Sequence, residues 1–190
     1  MPGGSSDLAP NASEMMEKHQ LRTHTFTWHD PLIGSDAARS LSGREYLEAL
    51  RDGKLAPPPM VALMGMSLVE VGDGRVVFAA EAHEYLYNGI GIVHGGFAAT
   101  MFDSAIGCAA LTRAPADKIA VTLDLQVRYF KPITVATGLM RCEGIVINVG
   151  RTTATAEGRM TDASGRLYGH ATSTLSLIPI PARGAVRESS

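Results

Sequence analysis

The chain has 190 residues, 45% hydrophobic and 19% charged, which suits one globular domain, alone or with an appendage, and suffices to bury a real core. A formal net charge of -2 and a pI near 6.3 provide no positive field for a nucleic-acid backbone or an anionic membrane. No run of about 18 apolar residues offers a membrane span, and the N-terminus "MPGGSSDLAPNASEMMEKHQ" lacks a basic patch followed by an apolar stretch, so the expectation is a cytoplasmic protein that is not exported.

The first thirty or so residues are rich in Gly, Ser, Pro and Asn without apolar periodicity and are expected to form a loose arm. His19, His24 and His29 recur there every five residues, a spacing that suits neither a helix face nor a metal site, and are read as solvated. The first ordered element is expected at "LSGREYLEALRDGKL". Ser42 with Glu45 makes a capping box, Tyr46, Leu47 and Leu50 share one face, and Gly53 ends the helix. The prolines of "APPPM" then interrupt the chain. A boundary near Pro57 divides it into an N-terminal arm with a short helix over residues 1–56, a main domain over 57–180 and a flexible tail over 181–190.

From Met60 onward the pattern predicts strands. Gly72, Asp73 and Gly74 mark the turn of a hairpin inside "MSLVEVGDGRVVFAAEA". "NGIGIVHGGFAATMFDSAIGCAALT", from Asn88 to Thr112, contains one long helix, apolar nearly all round, preceded by His94, Gly95 and Gly96. Beyond it, "IAVTLDLQVRYF" alternates, with Ile119, Val121, Leu123, Leu125, Val127 and Tyr129 on one face and Thr122, Asp124, Gln126 and Arg128 on the other, ended by Pro132. Further strands are expected from about Ala136 to Val149, Arg151 to Thr161 and Arg166 to Ile178. The layering is α+β, an antiparallel sheet folded around a single helix.

That helix carries one clear charge, Asp103. An ionised carboxylate among apolar side chains is costly unless paired, and no Lys or Arg lies within the helix; Arg128 or Arg113 could satisfy it from elsewhere. The alternative is chemistry. His94, Gly95 and Gly96 open the helix, where free N–H donors and the positive dipole end suit an oxyanion, and a carboxylate two turns on makes an acyl-transfer centre on one element. Cys108 and Cys142 form no C-x-x-C and read as buried thiols, and no histidine cluster implies a metal. The loop glycines do not fit a dinucleotide fingerprint, and there is neither a P-loop nor a G-x-S-x-G elbow.

The spacing N-x5-H-G-G-x6-D, followed by "VTLDLQVRYFKPI", closely resembles the phenylacetate-pathway (PaaI-like) type of hotdog-fold acyl-CoA thioesterases, over roughly residues 57–178. The resemblance implies a hotdog fold and hydrolysis of acyl-CoA without metal or cofactor. It implies Asp103 as nucleophile or general base, the Gly95 N–H as oxyanion donor with Gly96 beside it, Asn88 holding the thioester or the water, and His94 supporting that geometry. Thr122 matches a position where some relatives orient water with a hydroxyl, whereas the Ser or Thr that some carry one turn after the acid is here Gly107. Sites are shared between subunits in that family, so a homodimer or homotetramer is implied, and Arg128, Lys131 and Arg151 are the candidate partners of the CoA phosphates. On the residues alone, Asn88 also reads as a turn residue, His94 as a core histidine, Thr122 as a strand residue, and Met60, Met64 and Met66 as core or the lining of an acyl tunnel. A non-catalytic acyl-CoA-binding or ligand-sensing protein is the alternative, and it has no need of Asp103.

Overall fold

The structure, a computed structural model, describes residues 21–115 and 117–180. His19, most of the expected arm and the expected tail lie outside the described residues. In chain order the elements are α1 (Pro31–Ala37), α2 (Gly43–Arg51), α3 (Pro59–Leu63), β1 (Ser67–Gly72), β2 (Arg75–Glu81), α4 (Gly95–Leu111), β3 (Lys118–Tyr129), β4 (Leu139–Val149), β5 (Thr153–Asp162) and β6 (Leu167–Pro179).

The expected first helix is in fact preceded by α1, where Asp30 accepts from the Leu32 N–H at 2.9 Å and Pro31 takes the first position. α1 buries no side chain, so no apolar period announces it. His24, read as solvated, stacks on the Tyr85 ring with centroids 3.9 Å apart. α2 forms at its capping box, with the Ser42 N–H donating to Glu45 at 2.8 Å and the Glu45 N–H to Ser42 Oγ at 3.3 Å. Leu47 anchors it in the same core as α4. α3 then stands where strands were expected from Met60 onward, because Pro59 at its first position presets a helical turn.

The six strands form one antiparallel sheet in the order β1-β2-β4-β5-β6-β3, and α4 lies across it with Met101, Phe102, Ala105 and Ile106 fully buried. This is the hotdog arrangement that the resemblance implied. The helix comes very close to the sheet. A Cβ at Gly144 of β4 would sit 2.2 Å from the Ala105 carbonyl oxygen, and one at Gly158 of β5 would sit 2.8 Å from the Phe102 ring. Both positions need glycine for approach, not for an unusual φ.

Two expectations change. β3 does not alternate strictly: its register against β6 runs Thr122↔Leu175 and then Asp124↔Thr174, leaving Leu123 as the extra residue of a β-bulge. Ala120, Thr122, Leu125, Val127 and Tyr129 therefore oppose the buried β6 residues Leu177, Leu175, Ser173, Ala171 and Gly169 and face α4, while Leu123 is 63% exposed. Nor is α4 enclosed on every side, since Gly96 and Asp103 are exposed and Thr100 and Gly107 half-buried along one stripe. Small side chains at a spacing of three to four leave that stripe open.

Gly144→Ala is expected to lose about 1–3 kcal/mol in urea denaturation, because α4 must shift to admit the methyl group. At Gly107, where a Cβ meets only Leu175 at 3.8 Å, the same change is expected to gain up to about 1 kcal/mol from helix propensity. Equal responses at the two positions would refute the close approach.

Candidate active site

Asp103 projects from the open stripe of α4, and its Oδ1 accepts the Thr122 hydroxyl at 2.7 Å. The bulge at Leu123 makes this contact possible, because strict alternation would set Thr122 on the face opposite Leu125 and Val127. Neither basic residue considered for Asp103 reaches it. Arg113 is held by Asp73 through two contacts of 2.9 Å, and Arg128, opposite His170 in β6, lies on the sheet face away from α4. Asp103 has no ion-pair partner among the described residues. One carboxylate oxygen is thus oriented by a neutral donor, and the other remains available to take a proton or to attack.

Asp103 also sits between two cavities. One, of about 690 Å³, is walled by α2, α3, β1 and α4 and is mostly apolar; the other, of about 350 Å³, is an open groove containing Thr122 and Gly107. Cys108 lines both, but burial, with the nearby Asp103 charge, pushes its thiol up to about 12. It is therefore protonated at neutral pH and a poor nucleophile. Burial raises Cys142 as well.

The start of α4 forms a second group. His94 is its N-cap: Nδ1 accepts the Gly96 N–H at 2.9 Å, which leaves the ring hydrogen of the neutral imidazole on Nε2. Gly96 is used by this cap and not as a free donor, and a Cβ there would meet His94 Nδ1 at 2.9 Å. The Gly95 N–H takes no acceptor among the described residues, at the positive end of a 17-residue helix. Asn88 closes its turn through Oδ1, which accepts the Ile90 and Ile92 N–H groups at 3.0 and 3.3 Å. Its Nδ2 hydrogens remain as donors. The turn reading of Asn88 thus holds, and it leaves the side-chain amide hydrogens unengaged among the described residues.

Asn88, His94, Gly95 and Lys131 line a common cavity of about 350 Å³. Tyr129, in the same wall, was missed by the sequence reading. Its hydroxyl donates to the Gly95 carbonyl at 3.0 Å, tying the end of β3 to the start of α4. The available signal was its place at the strand end, which alternation had assigned to the apolar face without a role.

These two groups do not meet within one chain. Gly95 and Asp103 are separated by eight residues of helix, about 12 Å of rise, and line different cavities, so the expectation of an acyl-transfer centre along one element is corrected by the length of the helix itself. The basic candidates are also dispersed. Lys131 lies with Asn88 and Gly95, whereas the Arg151 carbonyl accepts from Lys118 at 2.6 Å at the other end of β3, roughly 35 Å away along the strand.

A profile described as the thioesterase superfamily matches residues 90–168. A protein of Halobacterium salinarum whose name assigns it, provisionally, to the esterases is 36% identical over 103 residues, covering 52% of this chain and 66% of that protein. The 1,4-dihydroxy-2-naphthoyl-CoA hydrolase of Listeria monocytogenes is 24% identical over 104 residues, covering 55% of this chain and 83% of the relative. Among solved structures, a point mutant of the phenylacetic acid degradation protein PaaI from Thermus thermophilus aligns with a TM-score of 0.57 and 28% identity, over 63% of this chain and 99% of that one. Across residues 90–168, which hold Gly95, Asp103 and Thr122, the chain carries a thioesterase-superfamily domain in a hotdog fold, with PaaI proteins among its structural neighbours.

Proposed function

We propose that this protein hydrolyses acyl-CoA thioesters to the free acid and CoA in the cytoplasm, with residues 57–180 as the catalytic unit. The observation that carries the reading is Asp103, exposed on α4, with one oxygen held at 2.7 Å by Thr122, inside a thioesterase-superfamily domain. A thioester is already activated, so an oriented carboxylate and an oxyanion donor suffice. Asp103 acts as general base toward water or as nucleophile, Thr122 positions it, and the Gly95 N–H takes the negative charge that develops on the carbonyl oxygen. Asn88 Nδ2 holds the carbonyl or the water, and His94 keeps the turn that presents Gly95. The CoA hydrolase activity of the Listeria relative supports CoA as the carrier.

Because the two groups are about 12 Å apart in one chain, the proposed site joins Asp103 and Thr122 of one subunit to Asn88 and Gly95 of another. β3 supports the pairing. It ends the sheet as an edge strand with Val121 and Leu123 exposed at 40% and 63%, a liability that a second copy would cover. Two such dimers would make the homotetramer.

Asp103→Asn is expected to lower kcat about 10²- to 10⁴-fold in a folded protein. Thr122→Val should lose about 10- to 100-fold, as for one hydrogen bond to a charged group, and Thr122→Ser should recover most of it. Near-native hydrolysis of several acyl-CoAs by Asp103→Asn would end the assignment. Mixing inactive Asp103→Asn with inactive Asn88→Ala is expected to restore about a quarter of wild-type activity, since random exchange makes half the dimers mixed and each mixed dimer holds one intact site. No recovery after demonstrated exchange would argue against a shared site. Of the basic candidates, Lys131 lines the cavity that holds the donor group. Lys131→Ala should raise KM for acyl-CoA with kcat little changed, because a phosphate contact is equal in ground and transition states. With a truncated thioester lacking the nucleotide the variant should match the wild type, and equal losses on both substrates would withdraw the phosphate contact.

A further inference from the structure

The cavity of about 690 Å³ beside Asp103 has a distinctive origin. Part of its wall comes from the N-terminal helices and not from the sheet or α4. Leu50 of α2 and Met60 and Val61 of α3 line it from helices that precede the sheet, with Met66 just before β1. Leu68 and Leu125 complete the apolar wall, and Asp103 with Thr100 stands on the α4 side.

The wall is mostly apolar, and two of its polar groups already have partners. The Thr100 hydroxyl donates to the Gly96 carbonyl at 2.9 Å, and Arg51 is paired with Asp52 at 2.8 Å. A charged or strongly hydrated guest would lose its water to a mostly apolar wall, whereas an apolar guest loses little. The volume is that of a small-molecule pocket, which runs to about 300–1,000 Å³.

The segment is held in place and not merely laid over the opening. Leu47 is 1% exposed in the core. At the start of α2 the contact is so close that a Cβ at Gly43 would sit 2.2 Å from the Leu111 carbonyl oxygen at the end of α4. The capping box fixes the same end of α2. A wall anchored in this way can discriminate between guests by size.

We propose that this cavity is the acyl pocket of the thioesterase reading, on which the proposal rests. In it the α2–α3 segment selects a bulky apolar acyl group, a medium-length aliphatic chain, over acetyl, with the thioester carbonyl at Asp103. Leu50 and Val61 are the specificity-determining residues. The α2–α3 segment, and not the sheet or α4, sets the substrate class.

The test is the ratio of kcat/KM for octanoyl-CoA to that for acetyl-CoA. In the wild type it should be about 100 or more, from burial of the added methylenes. Val61→Phe, which fills the pocket, should lower the ratio about tenfold. Leu50→Ala, which enlarges it, should move the optimum to longer chains and serves as the test if Val61→Phe does not fold. A wild-type ratio near one, or a ratio and optimum unmoved in a folded variant, overturns the acyl pocket and leaves thioester hydrolysis standing. If no acyl-CoA is hydrolysed, the functional reading fails instead, and calorimetric titration then decides the pocket alone. Tighter binding of octanoyl-CoA than of acetyl-CoA, weakened by Val61→Phe, supports it, and equal binding of the two overturns it.

Discussion

The close seating of α4 on glycine positions of the sheet is the constraint from which the rest of the molecule follows. With Ala105 over Gly144 and Phe102 over Gly158, the helix has little freedom to rotate or lift away, since a packed interior tolerates no gap there. That rotation decides which side chains face outward. Met101, Phe102, Ala105 and Ile106 turn inward, and Asp103 emerges between the end of the apolar cavity and β3. A helix with large residues all round would have been swallowed by the sheet. Small ones along the stripe from Gly96 to Gly107 keep the carboxylate reachable.

A second device, the bulge at Leu123, brings the polar partner to the carboxylate. One extra residue reverses the phase of β3. Thr122 can then face α4 on one side of the bulge while Leu125, Val127 and Tyr129 face it on the other, so that a single strand supplies a hydroxyl to Asp103 and another to Gly95. The same strand thereby positions the acid and braces the donor end of the helix. Its cost is a large apolar side chain, Leu123, left 63% exposed on an edge strand.

Within one chain the proposed site falls into two separated halves. The amides lie at the first turn of α4 and the carboxylate lies over two turns on, so no rearrangement of loops can join them along a rigid helix. Antiparallel pairing of two copies would set the start of one helix against the middle of the other, as the proposed shared site requires. The N-terminal helices occupy the remaining side of Asp103 and give the proposed acyl pocket its walls.

Much of this was legible in the residues themselves. The hairpin at Gly72–Gly74, the capping box at Ser42, the long helix and the strand meander are written in short-range chemistry, namely turn residues, caps and apolar period. The N-x5-H-G-G-x6-D spacing likewise singled out the side chains that cap the helix and close the turn, with the Gly95 N–H left without an acceptor among the described residues. What the sequence could not determine depends on contacts distant along the chain. Alternation assigned Thr122 to the wrong face because a bulge is recognisable only from the register against β6. α1 buries nothing and so carries no period, and Tyr129 acquires its role only when β3 returns to the start of α4. The exposure of Asp103 is of the same kind: composition marks it as an anomaly in an apolar helix, but only tertiary packing, by fixing the rotation of α4 over Gly144, turns that anomaly outward.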